Sequence, residues 1–265
     1  MNYIIFDTHA HYDMDRFDAD REELLSSLPE KGVRAVINCG TNIESSRASI
    51  DLAKQYDYFY AACGIYPHDW DGGKIMSIES ALNELRELAA NKGVVAIGEI
   101  GIDYRYEGTD RAAQKEIFTK QLELADELNL PVILHDGEAH GDMMDILRRY
   151  KPRGVLHCFS GSVEMMREVT RLGIYIGVGG ALTFKNAVKR TAVVKAVPEE
   201  YLLFETDAPY MAPVPCRGQR CCSSMIAFTA QKAAELRGVD MSYILEKAAE
   251  NACRLFGINI CNIKA

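Results

Sequence analysis

Eight short apolar runs recur along the chain at residues 3–6, 33–38, 58–63, 94–97, 131–134, 154–156, 174–178 and 201–204. Several are rich in Val, Ile or aromatic residues, and Gly, Pro or charged clusters bound them. Near-continuous apolar runs of this length suit parallel strands covered on both faces. Amphipathic stretches lie between them. The clearest is 111–129, where Ile117, Leu122, Leu124 and Leu128 recur near helical spacing. Residues 44–55, 78–91 and 163–172 read the same way, and 224–237 and 242–256 predict two closing helices. Eight strands alternating with helices predict an α/β fold, a (β/α)8 TIM barrel with two closing C-terminal helices. An open doubly wound sheet would carry a glycine-rich phosphate turn after its first strand. Here the first run leads instead into Asp7-Thr8-His9-Ala10-His11. No linker, low-complexity stretch or short repeat interrupts the chain, so residues 1–265 are expected to form one domain.

Hydrophobic residues make up 48% and charged residues 26%, so a sizeable core can form. No apolar run reaches the roughly 18 residues of a membrane span. The N-terminus has no basic segment ahead of an apolar stretch. A cytoplasmic protein without membrane contact is therefore expected. The eight cysteines, Cys261 among them, include no C-x-x-C pair. In a reducing compartment they read as free thiols. Cys216, Cys221 and Cys222 cluster, and a soft-metal or redox role is the less favoured reading. A net charge of −8 excludes a basic face over the whole surface for gripping long duplex DNA. Metal ions and a few arginines can still present local positive charge to an anionic substrate.

In such a barrel the chemistry sits at the C-terminal strand ends. His9 and His11 follow the first run, Glu99 the fourth, His135 the fifth, His157 the sixth and Asp207 the eighth. His-x-His at extended spacing puts both rings on one side of the chain. A carboxylate after an apolar strand must be paired or bind metal. Each residue alone has an ordinary explanation: a surface histidine, a satisfied core histidine, a salt bridge, a turn cap. Together, four of the six histidines and two acids fall in register at one mouth. Mixed His and carboxylate ligands suit Zn2+ or Mn2+, and Mg2+ less well.

At these residues the chain resembles the TatD family of metal-dependent deoxyribonucleases, among the amidohydrolase-like barrels. The matching strings are Phe6-Asp7-Thr8-His9-Ala10-His11, Gly64-Ile65-Tyr66-Pro67-His68, Gly98-Glu99-Ile100-Gly101-Ile102-Asp103-Tyr104, Pro131-Val132-Ile133-Leu134-His135, His157-Cys158-Phe159-Ser160-Gly161, Glu205-Thr206-Asp207-Ala208-Pro209-Tyr210 and Asn251-Ala252-Cys253-Arg254-Leu255-Phe256-Gly257. The resemblance implies two divalent ions, one held by His9, His11, Glu99 and Asp207, the other by Glu99, His135 and His157, with Glu99 bridging. Three departures stand where substrate would be gripped. Tyr66 replaces a common His, Gly137 a common Arg, and Cys221-Cys222 follows Arg220 in place of the usual Asn-Glu-Pro.

The expected chemistry is hydrolysis by metal-activated water, with Glu99 and Asp207 as catalytic residues. DNA is the expected substrate, with single-stranded ends favoured and no obligate protein partner. His68, Arg217, Arg220 and Tyr104 are the candidate substrate contacts, the arginines as phosphate clamps and the tyrosine as a base platform. Tyr66 is a second candidate for stacking, and His140 is left without a role. Two other outcomes stay open: hydrolysis of a small ester or amide, or of D-aminoacyl-tRNA. A non-enzymatic scaffold is disfavoured, because unused charges in a cup cost stability.

Overall fold

The computed structural model describes residues 3–70, 72–74 and 76–260; Cys261 lies outside them. Within these residues eight strands pair in parallel and in chain order: β1 (Ile5–Ala10), β2 (Val33–Cys39), β3 (Phe59–Cys63), β4 (Val94–Asp103), β5 (Val132–Gly137), β6 (Gly154–Leu156), β7 (Tyr175–Val178) and β8 (Leu202–Phe204). The two ends of this sheet meet. Ala10 bridges Ala208, His11 N donates to Ala208 O at 2.8 Å, and Asp207 N donates to His9 O at 2.9 Å. The result is the expected (β/α)8 barrel.

The helices on the outside are α1 (Arg21–Ser27), α2 (Ile43–Gln55), α3 (Ile78–Ala89), α4 (Arg111–Glu127), α5 (His140–Tyr150), α6 (Val163–Arg171) and α7 (Val188–Ala196). The closing pair is α8 (Ile226–Arg237) and α9 (Met241–Phe256). Side chains of Asn42, Ser77, Asp110 and Ser162 accept from first-turn N–H groups and start α2, α3, α4 and α6. Helices α1, α5 and α7 have no such side-chain cap, and sequence patterning did not delimit them. No helix among the described residues is long and apolar enough to cross a membrane.

Alternate strand residues fill the barrel. Phe6, Ile37, Ile133, Val155 and Leu203 belong to one buried cluster, which α9 completes with Ala252, Leu255 and Phe256. The Phe256 ring lies 6.4 Å from that of Phe6, and Asn251 Nδ2 donates to Leu202 O and Glu199 O. Helix α9 thus covers the end where the strands begin. The opposite end stays open.

Three strands run further than apolar patterning predicts. Strand β1 continues through Thr8-His9-Ala10, β4 through Asp103, and β5 through Gly137. His9, Glu99 and His135 are therefore strand residues rather than residues after a strand. Buried polar side chains continue the ladder where the apolar run stops, so hydrophobicity alone ends each strand early.

Candidate metal centre

At the open mouth His9 and His11 bring their Nε2 atoms within 3.0 Å of each other. On the other side, His135 Nδ1 and His157 Nε2 are also 3.0 Å apart. Glu99 stands between the pairs. Its Oε1 lies 2.7 Å from His135 Nδ1 and 2.9 Å from His157 Nε2. Its Oε2 lies 3.4 Å from His9 Nε2 and 3.6 Å from His11 Nε2. Two groups with metal-ligating geometry result, His9–His11–Glu99 and Glu99–His135–His157. Asp207 Oδ1 flanks the first, 3.5 Å from His11 Nε2 and 3.7 Å from His9 Nε2. The structure thus gathers all six residues expected from the sequence.

The rings are aimed by their outer nitrogens. His11 Nδ1 donates to Cys39 O at 2.8 Å, so Nε2 is the nitrogen that offers a lone pair once the ring is neutral. His135 Nε2 lies 3.2 Å from Asp103 Oδ2, a pure acceptor, so Nε2 keeps its proton, and Nδ1, 2.7 Å from Glu99 Oε1, is the nitrogen whose proton a metal ion would replace. His9 Nδ1 rests 3.5 Å from Cys39 Sγ, whereas His157 Nδ1 is 3.7 Å from Glu205 Oε1, an ion-pair distance without a hydrogen bond. Asp207 takes a left-handed backbone (φ 61°), a sparsely populated region that short polar residues tolerate. Asp7 ties the closing segment to β1, accepting from Thr206 N, Thr206 Oγ1 and Ser223 Oγ. Burial still pushes the Asp7 carboxyl up to about 7.

Electrostatics support a cation here. Burial works against the Glu99 charge, but His157 and His9, with hydrogen bonds from His135 and His157, hold its carboxyl well below the ordinary range. Burial likewise opposes charge on His11, yet Asp207, Glu99 and Asp13 push it up to about 9. His9 is lowered, by burial first and by His157 next. Among the described residues the ion-pair partners of Glu99 are histidines alone. Converging imidazole lone pairs around a buried carboxylate repel unless a proton or metal ion lies between them. The donor set therefore fits divalent metal.

Four residues expected to touch substrate sit differently. His68 Nε2 is 3.7 Å from Asp103 Oδ2 at the rim, and its ring meets that of Tyr106 edge-on at 4.7 Å. Tyr104 turns away, donating to Asp142 Oδ2 at 2.6 Å, with the Arg111 guanidinium over its ring. Arg217 stacks on Phe184 at 3.8 Å. Arg220 is held by Asp20 through Nη1 at 2.7 Å and Nη2 at 2.5 Å. None of the four lines the cavity over the histidines, which Tyr66, Arg105, Tyr106 and Tyr210 do line. Cys216, Cys221 and Cys222 are free thiols and fall in no metal-ligating group among the described residues. His140 pairs with Asp136 at 2.6 Å.

Sequence reading missed Asp103, Arg105 and Glu205. Asp103 was detectable as an acid closing the apolar Ile100–Ile102 stretch, and it lies fully buried. It accepts from Tyr66 Oη at 2.7 Å, and the same Oη lies 3.2 Å from His135 Nε2, so Tyr66 supports His135 both through Asp103 and directly. Gly137 is crowded by the same carboxylate: a Cβ there would meet Asp103 Oδ1 at 2.2 Å.

Comparison with known proteins agrees with this geometry. The family model described as TatD related DNase matches residues 6–257. An uncharacterized metal-dependent hydrolase of Bacillus subtilis, YabD, is 38% identical over 97% of this chain and all of its own. The 3′-5′ ssDNA/RNA exonuclease TatD of Cronobacter sakazakii is 34% identical over 95% of this chain and 97% of its own. The crystal structure of YJJV, a TatD homolog from Escherichia coli, superposes with a TM-score of 0.88 at 32% identity, covering 98% of this chain and 100% of that one.

Proposed function

This chain belongs to the TatD-related DNase family of metal-dependent hydrolases, and we propose that it is a two-metal deoxyribonuclease that removes nucleotides from single-stranded ends. One observation carries the two-ion reading: the two oxygens of Glu99 are divided between the His9–His11 and His135–His157 pairs. On this reading His9, His11, Glu99 and Asp207 hold one ion, and Glu99, His135 and His157 hold the other. Mn2+ and Zn2+ suit the imidazole-rich set better than Mg2+.

When bound, the ions would supply Lewis-acid polarisation of the ester and would acidify water. The chain's own residues do the rest. Glu99 spans both halves and fixes their separation. Burial opposes the Asp207 charge, but His11 and His9 hold its carboxyl low and ionised, so Oδ1 can accept the proton of the attacking water. Water adds to phosphorus as its proton passes to Asp207, the P–O bond breaks, and the leaving alkoxide takes that proton back from the Asp207 carboxyl. Cys39 and Asp103 keep His11 and His135 in the ligating tautomer. Residues 1–265 act as one catalytic domain, in the cytoplasm, on DNA, without an obligate protein partner.

The test is chelation and rescue. Stripped protein should lose cleavage of a single-stranded oligonucleotide and regain it with divalent metal, while Glu99→Ala should not be rescued. Parallel assays with an ester panel and a D-aminoacyl-tRNA decide the substrate class. Cleavage by the apoprotein, or by Glu99→Ala, overturns the mechanism.

A further inference from the structure

We propose that Arg105 is the residue that grips the substrate's phosphate, held ready for it by Asp103; the inference rests on the phosphodiesterase reading above. The cavity over the histidines is lined by four carboxylates, those of Asp13, Asp69, Glu99 and Asp207. Arg105 is the one Lys or Arg among its lining residues. An anionic ester entering this cup meets a single permanently charged cation of the chain.

The guanidinium is half anchored and half free. Nε donates to Asp103 Oδ1 at 2.9 Å and to Oδ2 at 3.1 Å. Nη2 donates to Asp103 Oδ2 and lies 3.3 Å from both Tyr66 Oη and His135 Nε2. Nη1 meets no acceptor among the described residues, and the side chain is 45% exposed. The buried anchor is itself fixed, since Asp103 N donates to Gln114 Oε1 of α4 at 3.0 Å. An arginine restrained on one edge loses little freedom when its other edge binds, which is preorganisation. It stands beside His135, next to where the scissile phosphate must lie for metal-assisted attack. Other arginines near the mouth are engaged outside the lining: Arg217 on Phe184, Arg220 on Asp20, Arg111 on Tyr104, and Arg16 over the Tyr210 ring at 5.4 Å. Gly137 has a part too, because only a residue without Cβ leaves room for the Asp103 carboxylate.

The alternative is that Arg105 only neutralises Asp103, and the experiment separates the two. Steady-state cleavage of a thymidine oligonucleotide with Mn2+ is measured for wild type, Arg105→Ala and Arg105→Lys, with metal content and Tm of each. Arg105→Ala should raise KM roughly tenfold or more, the loss expected for a charge-assisted hydrogen bond, with kcat changed less and metal retained. Arg105→Lys keeps a cation beside Asp103 and should restore Tm, yet its single ammonium cannot hold Asp103 and phosphate together, so KM stays raised. That variant carries the test if the alanine form does not fold. A wild-type KM in the folded variants overturns the inference, as does a loss that follows Tm or metal content alone. A wild type that leaves the oligonucleotide intact overturns the phosphodiesterase reading itself, and this inference with it.

Discussion

Asp103 Oδ2 lies 3.2 Å from His135 Nε2, and this contact decides which nitrogen of His135 faces the centre. A carboxylate only accepts, so Nε2 keeps a proton, and the Nδ1 proton on Glu99 Oε1, 2.7 Å away, is the one an entering metal ion would displace. Partners of this kind orient a ligating imidazole and raise its basicity. Asp103→Ala is expected to weaken metal binding by roughly 10–100-fold. Asp103→Asn should lose less, because an amide oxygen can still accept from Nε2. Calorimetric titration of metal into stripped protein measures both, and wild-type affinity in the alanine variant would disprove the role.

Glycine at 137 should be irreplaceable for the same reason. An added Cβ would lie 2.2 Å from Asp103 Oδ1 and 2.3 Å from its Cγ, and that short buried side chain has nowhere to retreat. Gly137→Ala is expected to cost about 1–3 kcal/mol, as overpacking does, and to lower metal affinity by pushing Asp103 off His135. Gly141 is the control. It lies inside α5, and a Cβ there meets nothing within 4 Å. Gly141→Ala should stabilise by about 0.5–1 kcal/mol. Urea denaturation of the two metal-free variants should move in opposite directions.

Tyr104 and Arg220 should be tolerant positions for activity. Tyr104 Oη is spent on Asp142, away from the cavity lining, so Tyr104→Phe should cost about 1 kcal/mol of stability and leave kcat/KM near wild type. Arg220→Ala removes a fork on Asp20 and a contact over Phe17. A small fall in Tm with near-normal kcat/KM is the expected result. A tenfold loss of kcat/KM in either variant, at full metal content, would show that the cavity extends further than its present lining.

The six metal-site residues were legible because buried charge after an apolar strand has few explanations, and the barrel's register converges strand ends. Their division into two groups was legible only through the family resemblance, not from the residues themselves. It depends on how the Glu99 carboxylate turns, which follows from packing. Long side chains were the least legible. Arg217 and Arg220 lie in a suggestive Arg-rich loop, but Phe184 and Asp20, far away in sequence, set their direction. Arg105 reaches the cavity because Asp103 captures it, a relation between neighbours that no apolar periodicity reports. Helices α1, α5 and α7 are short, 7 to 11 residues, and start without a capping side chain, so little in the sequence marks them.

Metal uptake should release protons, and the sign follows from His11. Without metal its imidazole is pushed up to about 9, because the Asp207 hydrogen bond and the charges of Glu99, Asp207 and Asp13 outweigh burial. A ligating imidazole must be neutral. Below pH 9, then, an entering ion has to displace a proton from His11, and apparent affinity should rise with pH until about 9 and then level. The rise is about tenfold per unit for each proton displaced. Burial lowers His157 and His135, but Glu99 and Glu205 raise the first and Asp103 and Glu99 the second on balance, so the slope should be at least that of a single proton. Glu99 and Asp207 are lowered and already ionised, so they contribute none. Calorimetry at pH 7.5 in two buffers of different ionisation heat measures the release directly. At least one proton per chain is expected; a release near zero would mean that the histidines wait neutral, and that the carboxylates alone carry the charge the ions replace.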